Sequence, residues 1–110
     1  MNDRIPAHLE AGAILRLAES QGGFGMVLSR GERDAGTVLV VTTYRGEAST
    51  LYERMPAVDG SRSYVATKYE DIENRQDFSE YLARRRHQDP DIWLIEVDIA
   101  DPERFIAQLA

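Results

Sequence analysis

YLARRRHQDPDIWLIEVD, Tyr81 to Asp98, decides the architecture. It joins an arginine-rich helix end, an Asp-Pro stop and a strand. Pro90 disfavours helical backbone in the residue before it, so the helix ends by Asp89. From Ile92 to Ile99 the side chains alternate. Trp93, Ile95, Val97 and Ile99 share one face; Ile92 and Leu94 precede Glu96 and Asp98 on the other, so the strand is apolar on both sides. Upstream, Asp77 is placed to cap the helix, with Glu80 three residues later. Phe78, Tyr81 and Leu82 give it an apolar side, and Glu80 to Arg84 is a favourable i,i+4 pair. Downstream, Asp101-Pro102-Glu103 supplies cap, N1 proline and first-turn acid for a last helix docked by Phe105, Ile106 and Leu109.

The remainder reads as one helix and four strands. Leu9 to Ser20 predicts a helix with Leu9, Ala13 and Leu17 on one stripe and Ile14 beside it; Gly22-Gly23 stops it. Leu9, Ala11, Ala13, Leu15 and Leu17 also alternate like a strand, but length and alanine content favour the helix. Phe24 to Arg30 is a strand and Arg30 to Gly36, RGERDAG, a turn. Thr37 to Tyr44, β-branched and apolar on both faces, is a central strand. Arg45-Gly46 turns it into Glu47 to Met55, and Asp59-Gly60 turns that into Arg62 to Lys68. With two-residue loops, Val38, Val40, Leu51, Met55 and Tyr64 share a core face. Leu39, Val41, Tyr52, Arg54, Val65 and Thr67 then share a half-polar one. Tyr69 to Gln76 is an acidic loop.

The expected fold is therefore α+β: a single domain over residues 1–110, in the order α-β-β-β-β-α-β-α. The four early strands predict an antiparallel meander. The natural packing is a two-layer sandwich, a mostly antiparallel five-stranded sheet with helices packed on it.

The 110 residues are 43% apolar and 29% charged, ordinary for a globular chain. The absence of cysteine excludes thiol catalysis, Cys-ligated zinc and disulfides. No apolar run approaches the roughly 18 residues that read as a membrane span. MNDRIPAHLE has no signal-peptide apolar core, so a cytoplasmic protein is expected. A net charge of −6, with Lys68 the one lysine, disfavours a nucleic-acid coat or an anionic membrane surface as partner.

Three segments carry a resemblance: AILRLAESQGG (Ala13 to Gly23), VLSRGERDAGTVLVV (Val27 to Val41) and the opening stretch. The Arg-Gly-x-x-Asp-x-Gly loop before an apolar strand, with Asp-Pro-Asp-x-Trp later, resembles a family of small bacterial proteins of unknown function, DUF1491. The similarity covers most of the chain. It implies a small α+β protein of alphaproteobacterial type and carries no activity, cofactor or catalytic residue.

Two functional classes remain. The first is a non-enzymatic interaction or regulatory module. It offers the Tyr52, Arg54, Val65 and Thr67 face, or an edge strand, to a protein partner or a second copy. Arg30, Arg33 and Asp34 are loop contact candidates, since loops carry function disproportionately. The second is a phosphate, nucleotide or nucleic-acid binder using Arg84, Arg85, Arg86 and His87, because arginine presents a planar donor fork. The structural alternative for that run is that cations at a helix C-terminus complement its dipole. Asp89, Asp91, Glu96 and Asp98 with His87 have the oxygen ligands magnesium prefers. Yet Asp89-Pro90-Asp91 already explains itself as a turn, and no metal, cofactor or catalytic residue is assigned.

Overall fold

The computed structural model describes residues 5–109. Met1 to Arg4, the start of the segment weighed as a signal peptide, lie outside them, as does Ala110. The elements are α1 (Ala7–Ser20), β1 (Phe24–Ser29), β2 (Val38–Tyr44), β3 (Glu47–Pro56), β4 (Arg62–Tyr69), α2 (Arg75–Gln88), β5 (Trp93–Asp98) and α3 (Pro102–Ala107). This is the expected α+β order. Among the described residues no helix is long and apolar enough to cross a membrane.

The sheet departs from the expected meander. Its order is β1-β5-β2-β3-β4. β5 is inserted between β1 and β2, antiparallel to the first and parallel to the second, with Val40 beside Ile95. The sheet is mixed rather than mostly antiparallel, and only β2, β3 and β4 form a meander. The reason is burial: β2 and β5 are both apolar on both faces, so neither can occupy an edge.

Nor are there two layers. α1 and α3 pack on one face, where Ala7, Ala11, Ile14, Ala18, Phe105 and Ile106 meet Val38, Val40, Trp93, Ile95, Val97 and Ile99. α2 covers part of the other through Phe78, against Leu39, Val41, Leu51, Ile92 and Leu94. Helices on both faces explain why β2 and the first half of β5 bury apolar residues on both sides.

The register of β3 and β4 also differs. Val40 pairs with Tyr52, not Leu51, because the ladder slips between Thr42 and Tyr44, near Ala48 at φ 56°. The β3–β4 loop is longer than two residues: Ala57 N–H bonds Ser61 O, and Gly60 takes φ 86°. Arg54 therefore pairs with Tyr64. A one-residue slip exchanges the faces of a strand. On β3 Tyr52 moves into the α1 core and Leu51 into the α2 core. On β4 the second displacement cancels the first, so Tyr64 stays beside Val38 and Val40 as expected, and Tyr52, Arg54, Val65 and Thr67 do not form one open face.

Two helix details change as well. α1 buries the small stripe Ala7, Ala11, Ile14 and Ala18 and leaves Leu9 exposed. Small residues let it lie close on β1, where a side chain at Gly25 would meet Leu15 Cδ2 at 2.8 Å. α2 begins earlier than expected. Asn74, not Asp77, is its cap and accepts from the Asp77 N–H at 3.3 Å. Glu80 accepts from Gln76 at 2.9 Å on the same helix. α3 is capped by Asp101 with Pro102 at N1, as its sequence required.

Candidate functional site

The Arg30–Gly36 loop and the Asp89–Trp93 turn, far apart in sequence, are packed together. Glu32 N–H donates to Asp91 O, and Trp93 Nε1 donates to Glu32 O at 2.7 Å. The approach is so close that a Cβ at Gly31 would lie 2.1 Å from Asp91 O. The Glu32 carboxylate folds back on its own loop and accepts from the Ala35 and Asp34 N–H groups. Those bonds, the one from Ala35 foremost, hold its pKa below the ordinary range. The Arg33 and Asp34 carbonyls bond the His8 and Ala7 N–H groups, so the loop satisfies the start of α1, which has no side-chain cap.

This junction sets Arg30 beside the start of β5. Its guanidinium stands 5.7 Å from the Trp93 ring centroid, a cation–π distance. Beside it lies a cleft of 490 Å³ lined by Ser29, Arg30, Ala83, Arg86, His87, Pro90 and Ile92. Asp89 Oδ1 accepts from Asp91 N–H at 3.1 Å, which closes the turn below it.

The arginine run is thus divided by the helical turn, as three successive residues must be. Arg85 points to the sheet: Nη2 donates to Glu53 Oε1 at 2.7 Å and Nη1 to the Tyr81 hydroxyl at 3.2 Å. The Arg85 bond, followed by others, holds Glu53 below the usual carboxylate range. Arg84 stands 5.9 Å from the Tyr81 ring centroid. Arg86 and His87 face the cleft, and among the described residues no ion pair holds either. Ser29, Pro90 and Ile92 were not anticipated there; the close-packing glycine of Arg30-Gly31 was the available signal.

The cleft continues along α2. Ala83 and Arg86 also line a second hollow of 360 Å³, with Leu28, Val41, Phe78, Leu82 and Leu94 as apolar lining and Ser49, Glu70 and Glu96 as polar groups. Burial, with the Asp98 charge adding to it, pushes the Glu96 carboxyl above its ordinary pKa. A larger hollow of 650 Å³ lies at the other end of β5, but its acids already have structural roles. Asp101 caps α3 and Asp98 accepts from the Arg45 N–H.

The sheet-face candidates on β3 do not face an open surface. Tyr52 is buried. Arg54 donates to Glu10 Oε1 at 3.1 Å and lies 4.4 Å from the Tyr64 ring centroid. No group of three or more possible ligands among the described residues could hold a metal ion.

A family model described as "Protein of unknown function (DUF1491)" matches residues 5–107. The chain belongs to the DUF1491 family. A crystal structure of a DUF1491 protein from Caulobacter crescentus is similar, with 28% identity and a TM-score of 0.76 over 93% of this chain and 94% of that one. An NMR structure of a DUF1491 protein from the same species gives 30% identity and a TM-score of 0.74 over 93% and 92%. A solution structure of an A. tumefaciens protein, at 22% identity and a TM-score of 0.75 over 94% and 92%, shows the fold alone. No curated protein matches. The family's fold is therefore that of this chain, and the site must be read from its own residues.

Proposed function

We propose that this protein binds a small anion of the phosphate type between α2 and the end of β1, with Arg30, Arg86 and His87 as donors. One observation carries the reading. Arg30, from the loop after β1, and Arg86 and His87, from α2, line one cleft without a carboxylate among its lining, in a chain of net charge −6. Arginine presents a planar donor fork that suits a tetrahedral anion. Isothermal titration with inorganic phosphate tests it. Arg30→Ala and Arg86→Ala should each weaken binding about tenfold, the loss of roughly one charge-assisted hydrogen bond. Affinity should also fall as salt rises. Affinity unchanged from the native protein in both variants, or no binding at low salt, would reject the site.

A second reading is pairing with another copy through β1. This edge strand leaves Phe24 63% exposed, with Met26, Val27 and Leu28 also exposed. An apolar edge with unpaired backbone groups is a template for strand addition. Met26→Lys should then shift a concentration-dependent dimer to monomer in sedimentation equilibrium. A wild-type protein that stays monomeric at high concentration removes this reading.

A further inference from the structure

We infer that the ligand is dipolar: an anionic head in the Arg30–Arg86–His87 cleft, a short apolar spacer along α2, and an ammonium group against Glu96. This rests on the anion-site reading and extends it to the whole groove.

The strand gives the groove its direction. Ile92, Leu94 and Glu96 follow one another on the same face, at two-residue intervals along the chain into and through β5. Ile92 lines the basic cleft, while Leu94 and Glu96 line the second hollow. Four residues of strand separate the ends by about 13 Å. β1 runs alongside with the same division: Ser29 lines the first cleft and Leu28 the second. The shared Ala83 and Arg86 join the two. Arg30 and His87 therefore line only the first cleft, and Arg86 stands at the junction of the two. The apolar side chains of Leu28, Leu94, Phe78 and Leu82 line the second hollow, and the carboxylates Glu96 and Glu70 line only that second hollow.

A plain anion would leave the far end unused, and a simple alkyl anion would bury its tail against two acids. A ligand with a terminal ammonium satisfies both ends. A partly buried carboxylate is costly to leave ionised without a partner, and an ammonium removes that cost by direct pairing. The two hollows, 490 and 360 Å³, are in the size range of small-molecule sites.

The experiment compares ω-aminoalkyl phosphates with n-alkyl phosphates of matched chain length, and both with inorganic phosphate, by isothermal titration. The aminoalkyl compound of best-fitting length should bind about tenfold tighter than its alkyl counterpart, one charge-assisted hydrogen bond. Glu96→Gln should abolish that preference and leave inorganic phosphate affinity unchanged, which also shows that the variant is folded. If phosphate binds but the terminal amine adds nothing at any length, the dipolar ligand is wrong and the anion site stands. If no phosphate compound binds, both readings fall. A preference that survives Glu96→Gln and Glu70→Gln would place the amine elsewhere and overturn the assignment.

Discussion

Arg85 Nη2 donates to Glu53 Oε1 at 2.7 Å, fastening the last turns of α2 to β3. Both side chains are largely sheltered, at 27% and 15% exposure. Thr67, on β4, donates to the other Glu53 oxygen. One carboxylate thus holds a helix and two strands together. Arg85→Ala should cost about 1.5–3 kcal/mol of folding stability, typical of a hydrogen bond to a charged group. Urea unfolding measures it. The same variant should bind phosphate normally, which separates the structural arginine from Arg86.

That carboxylate also predicts a pH dependence. Glu53 has a folded pKa below its ordinary 4.5. Its contribution is fully present above the unfolded value and is lost as pH falls through the depressed folded one. Glu53→Gln should therefore be less stable than the native chain at neutral pH and flatter in stability below pH 4.5. Urea midpoints measured across the acid range check this; parallel curves for the two proteins would contradict it.

Gly31→Ala should be among the most damaging single changes. Its Cβ would fall 2.1 Å from Asp91 O, against backbone that cannot swing aside. The Arg30–Gly36 loop would lift from the turn and release Trp93 Nε1 from Glu32 O. The expected loss is about 3 kcal/mol or more, at the upper end of ordinary substitutions. A red shift of the single tryptophan's emission in the folded protein should accompany it. Unchanged stability and emission would show that the loop is not held this way.

Tyr64 makes a comparable prediction at the alkaline end. Its hydroxyl donates to Glu10 Oε1 at 2.8 Å. Burial, with the neighbouring Glu10 charge, raises its pKa well above 10.0. A raised folded pKa means that stability falls as pH climbs through the unfolded value. Tyr64→Phe should cost about 1–3 kcal/mol at neutral pH, because buried Glu10 loses a donor. It should also weaken the alkaline loss of stability. Urea unfolding at neutral and alkaline pH reads both effects.

Much of this fold was legible because local chemistry dictated it. Asp101-Pro102 capped α3, and the two-sided apolar runs made β2 and β5 interior strands. The neighbour relation was not legible, because consecutive strands commonly pair and nothing local showed that β5 would separate β1 from β2. The faces of β3 were lost to the slip near Ala48, while the longer loop around Gly60 added a second displacement of one residue that returned β4 to its expected faces, with Tyr64 beside Val38 and Val40. The site was legible only in part. Arg86 and His87 stood out as charge, but which arginine faces the sheet depends on the helix's rotation, and that is set by Phe78 docking. Arg30 could be placed beside them only once the glycine loop was seen against Asp91.

The most direct test of the anion site is side-chain NMR of the arginine Nε–H groups during a phosphate titration at low salt. Arg30 and Arg86 resonances should shift together along one saturable curve, with the Ile92 amide following. Arg85, held by Glu53, should stay in place. Saturable shifts confined to Arg85 or to residues outside the cleft, or no saturable shift at all, would contradict the account.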